Sequence, residues 1–287
     1  MDRHIIIVTS DKRQEKLAAL MEGERASYVW AEDSKRKEAC EKIYVLPTPI
    51  TKLDKNHLIK EKLKQELIKM GSRDDIKLKV FGGAINQEWK CFFESYEIPF
   101  LDFMKLPEVV EGNGWITAEA TIAEVLQESE YSICGQSVLI TGYGCCGEKI
   151  AKLFAKLGAR VIVAARREAV REQIVKDGFI AIGFDDMKKH LIDISTVINT
   201  VPSLVITDEC IRTMPSGSLI VDIASHPGGT DFGAAKKYGI TAKLALGLPG
   251  IYTTSSSAML LKNAISQYAP LRENVRGDKL WIFQIII

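Results

Sequence analysis

Short apolar runs alternate with amphipathic stretches along the whole chain. Ile5 to Thr9 is the first run, followed by an amphipathic stretch from Arg13 to Met21. Ile43 to Leu46 is the second, stopped by Pro47 and Pro49. His57 to Met70 reads as a helix with Leu58, Leu63 and Leu67 on one side, and Leu78 to Phe81 as a strand ending at Gly82 and Gly83. Strands separated by helices predict a parallel sheet with both faces covered.

A second series begins after Ser132. Ser137 to Thr141, Arg160 to Ala164, Thr196 to Thr200, Leu219 to Ile223 and Thr241 to Leu246 read as buried parallel strands, with helices such as Glu148 to Leu157 and Phe232 to Tyr238 between them. The pattern predicts an α/β protein of two Rossmann-like, doubly wound parallel-sheet domains. Two amphipathic segments, Thr117 to Gln127 and Thr254 to Tyr268, are expected to connect them, the later one packing back on the first domain. The expected division is 1–115 with 255–287 as a catalytic or substrate domain, and 116–254 as a nucleotide-binding domain. The segment Trp281 to Ile287 is almost wholly apolar and β-prone, so it is expected to be buried in this chain or against a partner.

At 287 residues the chain can bury one or two real cores. A net charge of +1 argues against a nucleic-acid surface or a polybasic membrane anchor. The Lys/Arg-rich stretches Lys35 to Lys37 and Lys52 to Lys69 are interspersed with acids and read as solvated helix faces. No apolar stretch approaches the ~20 residues that span a bilayer, and Met1 to Val8 reads as a strand rather than a signal peptide. The cysteines Cys40, Cys91, Cys134, Cys145, Cys146 and Cys210 include no C-x-x-C pair, so neither a metal site nor a disulfide framework is expected, and a cytoplasmic location is.

The apolar strand Val138 to Ile140 runs into Thr141-Gly142-Tyr143-Gly144-Cys145-Cys146-Gly147-Glu148, a G-x-G-x-x-G between strand and helix. Gly142 permits the tight turn, Gly144 lets a pyrophosphate approach the backbone, and Gly147 lets helix pack on strand. The helix N-terminus adds N–H donors and partial positive charge. A glycine-rich turn without a ligand, or an S-adenosylmethionine site, is the competing reading. At the end of the next strand an NAD site wants an acid for the ribose hydroxyls. This chain has Ala165, followed by Arg166 and Arg167, whose guanidinium groups suit the 2′-phosphate of NADP. NADP is therefore expected over NAD; two solvated arginines at a helix start are the plainer alternative.

Chemistry in such sheets gathers beyond the carboxyl ends of the strands. Asn199, Thr200 and Pro202 are candidates for contacts with ribose and nicotinamide, and the turn at Gly247 for a close backbone approach to the ligand. Ser225, His226, Gly228, Gly229, Thr230 and Asp231 follow the strand ending at Asp222. His226 can serve as general acid or base, or as a cationic partner for a carboxylate, or simply brace its loop. Glu119 and Asp231 are further catalytic candidates. Glu119 is equally explained as a helix-start charge. In the first domain, Asp11, Arg13 and Gly82-Gly83 occupy the comparable edge.

These residues carry a resemblance to the A-subunit family of dipicolinate synthases of endospore-forming bacteria. It rests on Asp11-Lys12-Arg13-Gln14, Thr117-Ala118-Glu119-Ala120-Thr121, the loop Gly142 to Gly147 and Asn199-Thr200-Val201-Pro202-Ser203. It is strongest in Asp222 to Phe232 and in Gly247-Leu248-Pro249-Gly250-Ile251. The stretch Lys52 to Asp75 and the tail after Pro270 resemble the family least and inherit nothing from it. The resemblance implies NADP-linked oxidation of 4-hydroxy-tetrahydrodipicolinate, through dihydrodipicolinate, to pyridine-2,6-dicarboxylate in the mother cell of a sporulating bacterium. It also implies that the partner is a flavoprotein-like B subunit, and leaves homo-oligomerisation open. A small dicarboxylate substrate would draw on Arg13, His226, Ser225, Thr230 and the glycine turns. Two alternatives remain: an alanine- or 2-hydroxyacid-type dehydrogenase of the same layout, and a nucleotide-binding partner protein without catalysis.

Overall fold

The strands at the two ends of the chain pair with each other. In the computed structural model, which describes residues 3–21, 40–269 and 280–286, β1 (Arg3–Thr9) lies parallel to β11 (Leu280–Ile286), with Ile5 opposite Ile282. The apolar end of the chain is thus an edge strand of the first sheet. Ile287 and the charged stretch Lys35 to Lys37 lie outside the described residues.

Contacts divide the chain into Met1–Gly112 with Thr254–Ile287, and Asn113–Thr253. In the first unit, β2 (Cys40–Val45), β3 (Ile76–Gly82) and β4 (Phe100–Asp102) extend the sheet on the other side of β1, giving the order β11-β1-β2-β3-β4 with every pairing parallel. The period of two along these strands supplies two cores. Ile5, Ile7, Ile43 and Val45 meet Leu17 and Ala18 of α1 (Lys12–Met21) and Leu261 and Ile265 of α10 (Thr254–Tyr268). On the other face Ile6, Val8, Tyr44 and Val80 meet Leu63 and Leu67 of α2 (His57–Gly71) and Trp89 and Phe93 of α3 (Gln87–Ser95). Each such large side chain contributes about 1.5–3 kcal/mol on full burial. Asn56 and Asn86 cap α2 and α3 by accepting from the N–H groups of Ile59 and Trp89.

Two expectations need correction here. Leu58 is 73% exposed rather than grouped with Leu63 and Leu67. At about 100° per residue it stands ~140° round the helix from Leu63 and opposite Leu67. Lys52 is not part of a solvated helix face; it lies in a 3-10 turn (Ile50–Lys55) and pairs with Asp11.

The second unit is a six-stranded sheet, β10-β9-β8-β5-β6-β7, again wholly parallel. Its strands are β5 (Ser137–Thr141), β6 (Arg160–Ala164), β7 (Ile180–Ile182), β8 (Thr196–Asn199), β9 (Leu219–Asp222) and β10 (Thr241–Leu244). The chain runs outward from β5 to β7, returns to β8 beside β5, and runs outward again. The β5/β8 junction is therefore the switch point, where ligands of such sheets bind. Val138 and Ile140 pack against Ile150 and Phe154 of α5 (Cys145–Lys156). On the other face Leu139, Ile162 and Val197 pack against Met187 and Leu191 of α7 (Met187–Leu191) and Ile211 of α8 (Asp208–Ile211).

β10 was expected as a buried strand reaching Leu246. It is an edge strand that stops at Leu244, alternately exposed and half-buried, because only β9 flanks it. The helix expected from Thr117 starts ten residues earlier, as α4 (Pro107–Glu128) with proline in its first position. It runs through Gly112 and Gly114, which propensity disfavours by about 1 kcal/mol each. Packing outweighs that cost: a Cβ on Gly112 would come within 2.8 Å of Leu260, and one on Gly114 within 2.6 Å of Lys149. The unit division falls inside this helix. No helix among the described residues is long and apolar enough to cross a membrane.

Candidate functional site

Because all strands of the second unit are parallel, the loops after β5, β6, β8, β9 and β10 emerge along one edge. After β5 the chain turns at Gly142, whose φ of +85° is in the left-handed region. Gly144 is the N-cap of α5 and offers no side-chain cap to the first turn. A Cβ on Gly147 would lie 2.3 Å from the Gly142 carbonyl oxygen, so helix and loop close upon each other at that glycine. A Cβ on Gly144 would meet nothing within 4 Å. Open space above the second glycine, at an uncapped helix N-terminus, fits a pyrophosphate. The Tyr143 side chain is anchored away: its hydroxyl donates to Asp177 at 2.7 Å, and burial together with that carboxylate pushes its pKa up. Cys146 is similarly set aside, since burial, reinforced by Cys145, raises its thiol and favours the protonated form. Cys145 is half-buried in the first turn of α5.

After β6, Ala165 is buried, and its carbonyl and that of Arg166 accept from Arg171 Nη1 at 3.1 and 2.7 Å. Arg171 lies in the first turns of α6 (Glu168–Lys176). A pocket of about 550 Å³ at these strand ends is lined by Arg166, Arg171, Gly183, Phe184, Asp185 and Asp186. Arg167 is exposed and is the N-cap of α6, not part of this lining. The arginines that line the pocket are therefore Arg166 and Arg171, across from the acidic pair Asp185 and Asp186. Arg171 was missed because only the turn's fold, not its spacing, brings it beside Arg166.

At the switch point Asn199 is fully buried and its amide is engaged by the protein itself. Its oxygen accepts from the Thr141 hydroxyl and from Val201 N–H at 3.0 Å, and its Nδ2 donates to the Val201 carbonyl at 3.0 Å. The Thr200 hydroxyl donates to the Thr141 carbonyl at 2.7 Å. These side chains shape the turn, and Pro202 next to them is exposed.

The loop after β9 divides in two. Ser225 and His226 are exposed, whereas Gly228, Gly229 and Thr230 are buried. Asp222, with no solvent exposure, accepts from Ala224 N–H at 3.0 Å, Gly229 N–H at 2.8 Å and the Thr230 hydroxyl at 2.8 Å. Buried carboxylates need such donors, and here they order the loop. A Cβ on Gly229 would lie 2.4 Å from the carbonyl oxygens of Val201 and Ser203. A Cβ on Gly228, whose φ is +86°, would lie 2.9 Å from Asp222 Oδ2, so both glycines pack against the protein's own atoms, one against a side chain and the other against backbone. Asp231 caps α9 (Phe232–Tyr238) by accepting from Ala234 N–H at 2.9 Å. Gly247 is exposed with a φ of +67° after β10. Glu119 is exposed about three turns into α4, too far from its start for the helix dipole to account for it.

In the first unit Arg13 is buried at the start of α1 and donates to the Thr48 carbonyl. Asp11 takes the Lys52 ammonium and lies 3.4 Å from Arg13 Nη2. Burial alone would raise the Asp11 carboxyl; Arg13 and Lys52 outweigh it and hold the group below its ordinary range.

A parallel sheet of this order, with a G-x-G-x-x-G turn at its switch point, defines a dehydrogenase-type Rossmann protein. Residues 131–278 match the alanine dehydrogenase/PNT C-terminal domain, and the chain belongs to that family. More particularly, it is similar to the A subunit of dipicolinate synthase from Bacillus subtilis (strain 168), at 42% identity over 188 residues. That match spans 66% of this chain and 63% of the relative, less than two thirds of its length. The crystal structure of the dipicolinate synthase A subunit from Bacillus halodurans has a TM-score of 0.74 at 25% identity, covering 94% of this chain and 98% of that one. That of the Bacillus subtilis protein has a TM-score of 0.73 at 27% identity, covering 94% and 96%.

Proposed function

We propose that this chain is the NADP-dependent dehydrogenase subunit of a dipicolinate synthase. It would oxidise the dihydrodipicolinate formed by dehydration of 4-hydroxy-tetrahydrodipicolinate to pyridine-2,6-dicarboxylate. The observation that carries the reading is the open glycine turn Gly142–Gly147 at the switch point of a chain similar to the dipicolinate synthase A subunit. Bound NADP supplies the hydride acceptor. The chain's own residues do the rest: the glycine turn cradles the pyrophosphate, and Arg166 with Arg171 takes the 2′-phosphate. His226 and Ser225, the exposed polar groups of the loop after β9, face solvent where a substrate can reach them. His226 binds a carboxylate or accepts the ring proton. Removal of a hydride and a proton makes the ring aromatic, so positioning matters more than a strong base.

The reading extends to a partner, the flavoprotein-like B subunit, and to the cytoplasm of a sporulating mother cell. Purified chain, alone and with that partner, is incubated with NADP and substrate. Appearance of pyridine absorbance together with NADPH supports the proposal; binding of NADP without turnover in both mixtures overturns it. The match to the alanine dehydrogenase/PNT domain favours a second reading, an alanine- or 2-hydroxyacid-type dehydrogenase, which turnover of those substrates would establish.

A further inference from the structure

The pocket at the carboxyl ends of β6 and β7 has a second wall besides its arginines. The chain leaves β7 at Gly183 and makes a 3-10 turn, Phe184–Asp186, so that these four residues line the same space as Arg166 and Arg171. Its volume of about 550 Å³ falls within the ~300–1,000 Å³ usual for small-ligand pockets. Two of its charged side chains are already engaged. Asp186 pairs with Lys189 at 2.7 Å, and Arg171 is held by the Ala165 and Arg166 carbonyls. The other two are not. Among the described residues, the side chains of Arg166 and Asp185 make no hydrogen bond or ion pair, either with each other or with any other group.

An exposed charge without a partner is ordinary in itself. Two opposite charges that line one pocket and do not meet fit a ligand offering an acceptor to one and a donor to the other. The uncharged part of the wall narrows the chemistry. Phe184 is half-buried: it packs on the core formed with Met187 and Leu191, and the rest of its ring is left to the pocket. A Cβ on Gly183 would meet only Asp186 Oδ2, at 3.8 Å, so nothing crowds a flat group there. An aromatic base with an exocyclic amine meets all of these terms, its face against Phe184 and its N–H toward Asp185. A carboxylate only accepts, so it repels a base that carries a carbonyl at the same position. Among the common purines that favours adenine, with its 6-amino group, over hypoxanthine and guanine.

We propose that Asp185 selects adenine as the base of the bound dinucleotide. It accepts from the 6-amino group while Phe184 stacks on the ring, and Arg166 meets the phosphate of the same nucleoside. The inference rests on the dinucleotide site proposed above and adds base specificity to it.

Fluorescence titration of the full chain tests it, with NADP, NAD and the hypoxanthine analogue of NADP, in which a carbonyl replaces the 6-amino group. The unmodified chain is expected to bind NADP at least about fivefold more tightly than the analogue, as befits one hydrogen bond to a solvent-exposed carboxylate. In Asp185→Ala, and in Asp185→Asn, whose amide can accept from an amine or donate to a carbonyl, the two affinities should be nearly equal. Both variants remove a negative charge beside Arg166 and so strengthen phosphate ligands alike; the ratio of NADP to analogue is therefore the readout, not either affinity. Melting temperatures should match that of the unmodified chain, because Asp185 holds no partner. Equal affinities for NADP and the analogue in the unmodified chain, or a ratio unchanged in Asp185→Ala, overturn the base selection and leave the dinucleotide site intact. A loss in Asp185→Ala that falls on NAD with the NADP-to-analogue ratio unmoved gives Asp185 to a ribose hydroxyl and also overturns it. Binding of none of the three dinucleotides overturns the nucleotide site itself, and the base selection with it.

Discussion

The Thr230 hydroxyl donates to the Asp222 carboxylate at 2.8 Å, and both side chains are buried. The pair holds the loop after β9 from within, so Thr230 answers to the fold and not to a substrate carboxylate. Thr230→Val keeps the shape but removes one donor to a buried anion. It should cost about 1–3 kcal/mol, seen as a lower denaturation midpoint, with KM close to that of the unmodified chain. A raised KM at unchanged stability would return Thr230 to the substrate.

What could be read in the sequence follows from how local its cause is. Burial of both sheet faces dictates the apolar runs, so β1, β3, β5, β6, β8 and β9 stand out. β4 and β7, at three residues each, carry too short a pattern. Trp281 to Ile287 reads as a strand, but its pairing with β1 spans the whole chain and leaves no trace in either segment. The start of α4 was hidden by Gly112 and Gly114, whose reason for being in a helix is the neighbours packed on them.

The same holds for the site. The glycine turn is contiguous and legible. Arg171 and Lys52 are not, because each acquires its place only when a turn or a second strand brings it beside Arg166 or Asp11. The engagement of Asn199 and Asp222 by their own loops is equally invisible before the chain folds.

Cofactor preference should depend on Arg166 and Arg171 together. Replacing both with Ala is expected to lower the preference for NADP over NAD by about 1.5–3 kcal/mol, the range for hydrogen bonds to charged groups, or about ten- to 150-fold. Arg167→Ala, at the helix cap, should have much less effect. Arg171→Lys keeps the charge but not the hold on the Ala165 and Arg166 carbonyls, so it should recover only part. Fluorescence titration with both cofactors checks this, and equal affinities in the unmodified protein would sink the idea.

The glycines of the turn should separate fold from binding. Gly144→Ala adds a Cβ in open space, so stability should stay within about 0.5 kcal/mol while dinucleotide affinity falls. Gly147→Ala drives a Cβ to 2.3 Å from a backbone oxygen and should lower stability by about 1–3 kcal/mol, as overpacking does. Thermal melts run beside NADP titrations distinguish the two; equal losses of stability would count against the open space above Gly144.

Acid stability should carry the mark of Asp11. Its carboxyl lies below the ordinary value of 3.8 in the folded protein, held there by Arg13 and Lys52 against the opposing effect of burial. The stabilisation this brings is fully present above the unfolded value and is lost as pH falls through the folded one. Melting temperatures of the unmodified chain should therefore drop more steeply below about pH 4 than those of Asp11→Asn. Parallel curves for the two proteins would remove Asp11 from the account.

His226 is the residue on which the catalytic reading is most exposed to refutation. It stands beside Ser225 at the solvent-facing part of a loop whose remainder is held by Asp222, so it has a fixed base and a free side chain. Because the imidazole is exposed, His226→Gln should leave the fold and NADP binding intact. If the ring holds a substrate carboxylate, the loss falls on KM, since that contact is as strong in the ground state as in the transition state. If it accepts the ring proton, kcat and kcat/KM fall together, by the 10²–10⁴-fold typical of general base catalysis. The pH dependence of kcat/KM separates these further: a proton acceptor gives a rate that rises with pH, whereas a cationic anchor gives one that falls. A variant with both constants and both pH limbs unchanged would leave His226 outside the reaction and return the search for a base to the other polar groups of this edge.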